Sequence, residues 1–226
     1  LRFTPVILSG LLIAVLYGYA VRLPFYFDDL PVLERQPPLF ADDGAMIPMP
    51  DSAGYREAMV GTLSFSDHEG ERQHSIYLAA APEYGKHEFT QRLAREIARA
   101  KRHYPEARYL GIADGAPSNW SFLEQHTQRQ LIDFFHVTEY VSKLAQARYP
   151  QRGAENQRSR WQHQQCSDLK RDPKAVDTLI EQAATLSRRT SLSKALRDGA
   201  YSAWTYLSNH HHHMDYPGFL AENLPI

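Results

Sequence analysis

The sequence predicts an α/β fold: a mixed sheet of three antiparallel strands followed by two parallel ones, then an all-helical block. Three observations predict it. Two strand-like segments flank an acidic turn containing Gly70, and two short apolar runs alternate with amphipathic helices in the middle of the chain. Beyond Tyr149-Pro150 no convincing strand is found. With 226 residues, 43% hydrophobic and 12% aromatic, the chain can bury a core and is not disordered throughout. Twenty-five basic against 26 acidic residues give a net charge of −1, which excludes a uniformly basic nucleic-acid coat. The single cysteine, Cys166, excludes a disulfide scaffold and a multi-cysteine zinc site, and it fits a reducing compartment. No Gly-x-Ser-x-Gly elbow is present, nor a Gly-x-x-x-x-Gly-Lys loop for a nucleotide phosphate.

The elements follow in order. Residues 1–37 stand apart. Pro5 to Val21 is uncharged, flanked by Arg2 and Arg22, and close to the ~20 apolar residues that span a bilayer. A membrane segment, a buried core helix, or sequence foreign to the downstream domain all fit it. The opening Leu1 and the ending Pro225-Ile226 are read as marks of a fragment or an interrupted frame. After Pro37-Pro38 the composition becomes that of an α/β protein, and residues 38–148 are expected to form its core.

Ala41 to Met46 supplies a first strand, Ala58 to Ser66 a second and Gln73 to Ala81 a third, with residues 67–71 as the hairpin turn. From Lys86 to His103, Phe89, Leu93, Ile97 and Ala100 recur at helical spacing, and Pro105 follows as a stop. Ala107 to Ala113 reads as a buried strand leading into Asp114-Gly115-Ala116-Pro117. Trp120 to His126 is a short helix, Gln130 to Phe135 a further buried strand, and Val137 to Arg148 a helix. Residues 149–226 form the helical block, with helices at Glu155 to Leu169, Lys174 to Ser187 and Ser191 to Leu207.

That order, β-β-β-α-β-α-β-α, is the order of the ribonuclease H-like fold. Carboxylates at the ends of its first and fourth strands stand side by side and hold metal ions; here those ends carry Asp43 and Asp114. An Asp-Gly pair taken alone is a turn signal. Placed at two such strand ends, the pair can bind two Mg²⁺ (or Mn²⁺) ions, for which oxygen ligands are the right donor type.

Residues 43–226 resemble the Kra group of bacterial insertion-sequence transposases, of the Asp-Asp-Glu class. The resemblance is carried by Asp43-Gly44-Ala45-Met46, Tyr55-Arg56-Glu57-Ala58, Ala81-Pro82-Glu83-Tyr84-Gly85-Lys86 and Gly111-Ile112-Ala113-Asp114-Gly115-Ala116. Further matches are Asp133-Phe134-Phe135-His136 with Glu139-Tyr140, and Met214-Asp215-Tyr216 leading to Asn223-Leu224-Pro225-Ile226. It implies that Asp43 and Asp114 are the first two catalytic, metal-holding carboxylates. It further implies a catalytic Glu beyond Ile226, so that this chain lacks the third; Glu222 is a poor substitute. Metal-dependent DNA strand cleavage and transfer, two bound ions, DNA ends and target as partners, a synaptic homodimer, no small-molecule substrate and a nucleoid-associated place in the bacterial cytoplasm are implied with it.

Asp133-x-x-His136 resembles a signature of several transposase groups. Asp133 and His136 either support the metal site or cap local backbone groups. From Lys143 to Lys174, eight basic residues face three acidic ones, a local excess of +5. Arg158, Arg160, Lys170 and Arg171 are therefore candidate phosphate contacts, and Trp161 a candidate stacking residue. The alternative is an ordinary solvated helix face with Trp161 in the core. Two rival functions stand beside the transposase: a catalytically dead DNA-binding remnant, and a protein anchored through residues 5–21. His210 to His213 is read as native sequence with incidental metal affinity, and Cys166 as a buried helix residue.

Overall fold

The structure, a computed structural model, describes residues 11–12, 44–48, 55–67, 69–80 and 85–226. The chain divides into two compact units, Leu1–Asp133 and Phe134–Ile226.

The first unit is α/β. Its strands are β1 (Leu11–Leu12), β2 (Gly44–Pro48), β3 (Tyr55–Ser66), β4 (Arg72–Ala80), β5 (Leu110–Ala113) and β6 (Arg129–Ile132). Its helices are α1 (Gly85–His103) and α2 (Pro117–His126). β3 organises the sheet. Twelve residues make it about 40 Å long, long enough to hold two partners end to end on one edge. One edge takes β4, antiparallel, from Met59↔Ala80 to Ser66↔Arg72. The other takes β1 at Leu63 and Thr62 and β2 from Met59 to Tyr55, both antiparallel. β1 is also parallel to β5, and β5 to β6.

This corrects the sequence reading in two ways. The sheet has six described strands rather than five. The strand adjoining β5 is β1, from the apolar head, and not the segment around 41–46. A strand with neighbours on both sides favours unbroken apolar sequence, which Leu11-Leu12 provides. β2, by contrast, ends at Pro48, a residue with no N–H for the ladder. The rest of the 5–21 segment lies outside the described residues. Among the described residues no helix is long and apolar enough to cross a membrane.

The β3–β4 turn is built by Asp67, whose Oδ1 accepts from the backbone N–H of Glu69 and Glu71, both at 3.0 Å. The core of this unit is formed by Leu63, Phe89, Leu93, Ile97, Leu110, Ile112, Leu123 and Leu131, all 0–2% exposed. Phe89, Leu93 and Ile97 fall on one face of α1 because their spacing matches the helical repeat.

The second unit is helical: α3 (Phe134–Arg148), α4 (Glu155–Arg171), α5 (Ala175–Arg188), α6 (Lys194–His210), a 3₁₀ turn (His211–His213) and α7 (Tyr216–Ala221). β6 ends at Ile132, and Phe134 already opens α3, although Gln130 to Phe135 reads as one apolar strand. Phe134, Val137, Val141 and Leu144 lie three or four residues apart and are all buried, so Phe134 belongs to a helical stripe. α3 packs on α4 and α6. The division between the units falls before this helix. Tyr140 and Tyr206 stack with ring centres 3.9 Å apart, tying α3 to α6.

Candidate functional site

Asp114 and Asp133 are the residues that follow β5 and β6. The parallel register pairs Ala113 with Ile132, so both aspartates leave the sheet at one level, on neighbouring strands about 5 Å apart. Asp133 N–H donates to Ala113 O at 2.9 Å, extending the ladder by one step. Both are buried, Asp114 at 9% and Asp133 at 3% exposure.

The loop after Asp114 fixes its carboxylate. Oδ1 accepts from Ala116 N–H at 2.9 Å and from Asn119 Nδ2 at 3.2 Å. Gly115 permits this turn with φ +106°, a region in which a Cβ is strained. Pro117 then starts α2 at a position where no N–H is needed. Asn119 is 3% exposed, and its Oδ1 receives Lys86 Nζ at 3.4 Å; Lys86 also donates to Ser118 Oγ at 2.6 Å. Lys86, Ser118 and Asn119 are not among the site residues expected from the sequence, although Lys86 ends one of the segments that carry the resemblance. The string Asp114-Gly115-Ala116-Pro117-Ser118-Asn119 does carry the signal of a turn feeding a helix. Lys86 carries none, because it reaches the site only through the fold.

Asp43 lies outside the described residues. Its neighbour Gly44 pairs with Met59, on the same edge of β3 that takes β1. Gly44 is three β3 positions beyond Leu12, which pairs with Thr62; Asp114 is two residues beyond Ile112, which pairs with Leu12. The start of β2 and the Asp114 loop therefore lie at nearly one level along the sheet, in adjacent columns.

Asp133 closes the first unit and His136 lies in the first turn of α3, in the second. The His136 side chain is 13% exposed, with Nδ1 3.9 Å from Glu139 Oε2.

On α4 the basic residues do not share one face. Arg158 points inward: Nε donates to Tyr149 O at 2.9 Å and Nη2 to Gln151 O at 2.8 Å, clamping the loop before the helix. Arg160 and Arg171 are exposed and eleven residues apart, which puts them on one outer face about 16 Å apart. Lys170 lies with Nζ 4.4 Å from the Phe134 ring centre. Trp161 is half-buried, with the Arg148 guanidinium 5.7 Å from its ring.

Among the described residues, the side chains that follow β5 and β6 are carboxylates, and that of Asp114 is held by one main-chain and one amide hydrogen bond. That donor set suits a hard divalent cation such as Mg²⁺ in kind. Among the described residues no group of three or more His, Cys, Asp or Glu side chains converges on one point. No protein-family model, no curated protein and no solved structure matches the chain.

Proposed function

We propose that this chain is catalytic-domain sequence of an insertion-sequence transposase, acting on DNA phosphodiesters at the sheet end that carries Asp114. The observation that supports this most is the topology around β5. Two strands antiparallel to one another, β4 and β3, are followed across the sheet by β1, β5 and β6 running parallel, and buried aspartates end the last two. This order supports a ribonuclease H-like reading, in which Asp114 serves as a strand-end carboxylate. The motif resemblance over residues 43–226 supports the same reading independently.

In this reading Asp43 and Asp114 hold divalent cations, with Asp133 beside Asp114. A pair of such ions, when bound, stabilises the attacking and leaving oxygens of a phosphodiester. The protein's share is orientation: a carboxylate fixed by two donors contributes by position, not by proton transfer. Water attacks phosphorus, the P–O3′ bond breaks, and the proton ends on the released 3′-oxygen. That hydroxyl can then attack a target phosphodiester in the same geometry. A homodimer bringing two DNA ends together completes the reading, and the resemblance implies a further catalytic Glu following Ile226.

The test is Mg²⁺-dependent nicking of duplex DNA by the chain extended through a Gly-Ser-Gly stretch and a Glu. Cleavage that disappears with Asp43→Ala or with Asp114→Ala is expected. Cleavage indifferent to Asp114→Ala overturns the reading. A second reading, a remnant that binds DNA without cutting it, is favoured by the shared outer face of Arg160 and Arg171. It calls for salt-sensitive binding with no dependence on Mg²⁺.

A further inference from the structure

We infer that Lys86 is a positioning residue for Asp114, acting through the amide of Asn119; this rests on the reading of Asp114 as a cation-holding carboxylate. Lys86 is the second residue of α1, and Ser118 and Asn119 lie in the first turn of α2. Its ammonium donates to Ser118 Oγ at 2.6 Å and Asn119 Oδ1 at 3.4 Å, and Asn119 Nδ2 donates onward to Asp114 Oδ1 at 3.2 Å. Three side chains from two helices and one strand end thus form a single relay.

The chemistry of the donors gives the relay its direction. An ammonium can only donate, so it holds the oxygen end of the Asn119 amide towards itself. The NH₂ end is thereby turned to the carboxylate. If the amide rotated, its oxygen would face a carboxylate oxygen and Asp114 would lose a donor. Asn119 is 3% exposed, so water is poorly placed to replace that donor.

The location of the lysine also calls for an explanation. A cation in the first turn of a helix opposes the helix dipole, and here the first turn of a second helix meets the same ammonium. Among the described residues its polar partners are the neutral Ser118 and Asn119, and no carboxylate pairs with it directly. The negative charge that the relay reaches is Asp114, one amide away. Lys86 accordingly orients Asp114 without occupying its oxygens. In the sequence it is 28 residues before Asp114, and only the packing of α1 beside α2 joins them.

The test uses the full chain and Mn²⁺ alone, titrated by electron paramagnetic resonance, with Asp114→Asn as the control for the site. Lys86→Met and Asn119→Ala are each expected to weaken Mn²⁺ binding about tenfold, the usual effect of losing a group behind a ligand. Lys86→Arg keeps most of the affinity. In Lys86→Met the side-chain amide protons of Asn119 exchange faster with water by NMR, while the melting temperature stays near that of the wild type. Wild-type affinity in Lys86→Met and Asn119→Ala, with binding lost in Asp114→Asn, overturns the inference alone. Equal binding by Asp114→Asn and the wild type overturns the reading of Asp114 and the inference with it. Loss of Mn²⁺ in Lys86→Met only alongside loss of the fold also overturns the inference.

Discussion

Gly111 and Gly199 show how the surroundings of one residue decide the sign of a substitution. A Cβ on Gly111, in the middle of β5, would come within 2.7 Å of Leu123 Cδ2 and 2.9 Å of Cδ1, and Leu123 is fully buried. Gly111→Ala is expected to cost about 1–3 kcal/mol by overpacking. On α6 a Cβ at Gly199 meets nothing closer than Lys143 Cβ at 3.9 Å. Gly199→Ala is expected to stabilise by about 0.5–1 kcal/mol, because glycine weakens a helix interior. Urea denaturation of the two variants checks both signs; a stabilised Gly111→Ala would contradict the packing of α2 on β5. Cys166 gives a second test at this scale. Burial pushes its thiol up, and the charge of Lys170 pulls it partly back. Alkylation by iodoacetamide at pH 8 should run roughly three- to tenfold slower than that of a small free thiol. Lys170→Met should slow it further, and a faster rate in that variant contradicts the account. The candidate site was legible at this scale only where chemistry and local turn coincide. Asp114 declares itself by an Asp-Gly step after an apolar run. Asn119 and Lys86 do not, because an amide and a lysine in helix first turns have many ordinary uses, and the Lys86–Asn119 link spans 33 residues.

At the scale of elements, helices with a clean apolar repeat were readable and strand ends were not. α1 is expected at Lys86 to His103 and found at Gly85–His103, since four core residues at helical spacing leave little freedom. The step from β6 to α3 was misread because Leu131, Ile132, Phe134 and Phe135 are apolar under either periodicity; only the burial of Phe134 with Val137 and Val141 separates them. The 3₁₀ turn and α7 were missed because they are short and end-determined. α7 depends on Asp215, whose Oδ1 accepts from Gly218 N–H at 3.0 Å. The 3₁₀ turn carries a pH dependence. The His213 imidazole is lowered to about 4 by burial first and then by the neighbouring His212 and His210, while His211 Nε2 lies 2.8 Å from Asp177 Oδ1 on α5. The unfolded chain binds the His213 proton near pH 6.5 and the folded chain only near 4. Its contribution is therefore complete above 6.5 and is lost as pH falls towards 4. Partial contact with water reduces the effect to about 1 kcal/mol. The urea midpoint should fall as the pH drops from above 6.5 towards about 4, and His213→Gln should flatten the fall. His126, lowered by burial and by Lys101, adds a dependence of the same sign in the first unit.

At the scale of the whole molecule, the near-neutral net charge hides an uneven distribution. A chain of net −1 carries an excess of +5 between Lys143 and Lys174. The helix formed there sorts those charges into two kinds. Arg158 is held by the carbonyls of Tyr149 and Gln151 and serves the loop, whereas Arg160 and Arg171 face outward together. Sequence alone treats the three arginines alike, because charge counts do not record which way a side chain points. If the outer face holds DNA, each arginine that neutralises a phosphate contributes about 0.9 to the slope of log affinity against log salt. Arg160→Ser with Arg171→Ser should then weaken duplex binding and lower that slope by about two between roughly 50 and 200 mM salt, read by fluorescence anisotropy. Arg158→Ser should leave the slope unchanged and instead lower stability by about 1–3 kcal/mol, since two carbonyls lose a charged donor. A slope that falls with Arg158→Ser and not with the outer pair would place the DNA-binding face elsewhere on this helix. It would also remove the main support for a remnant that binds without cutting.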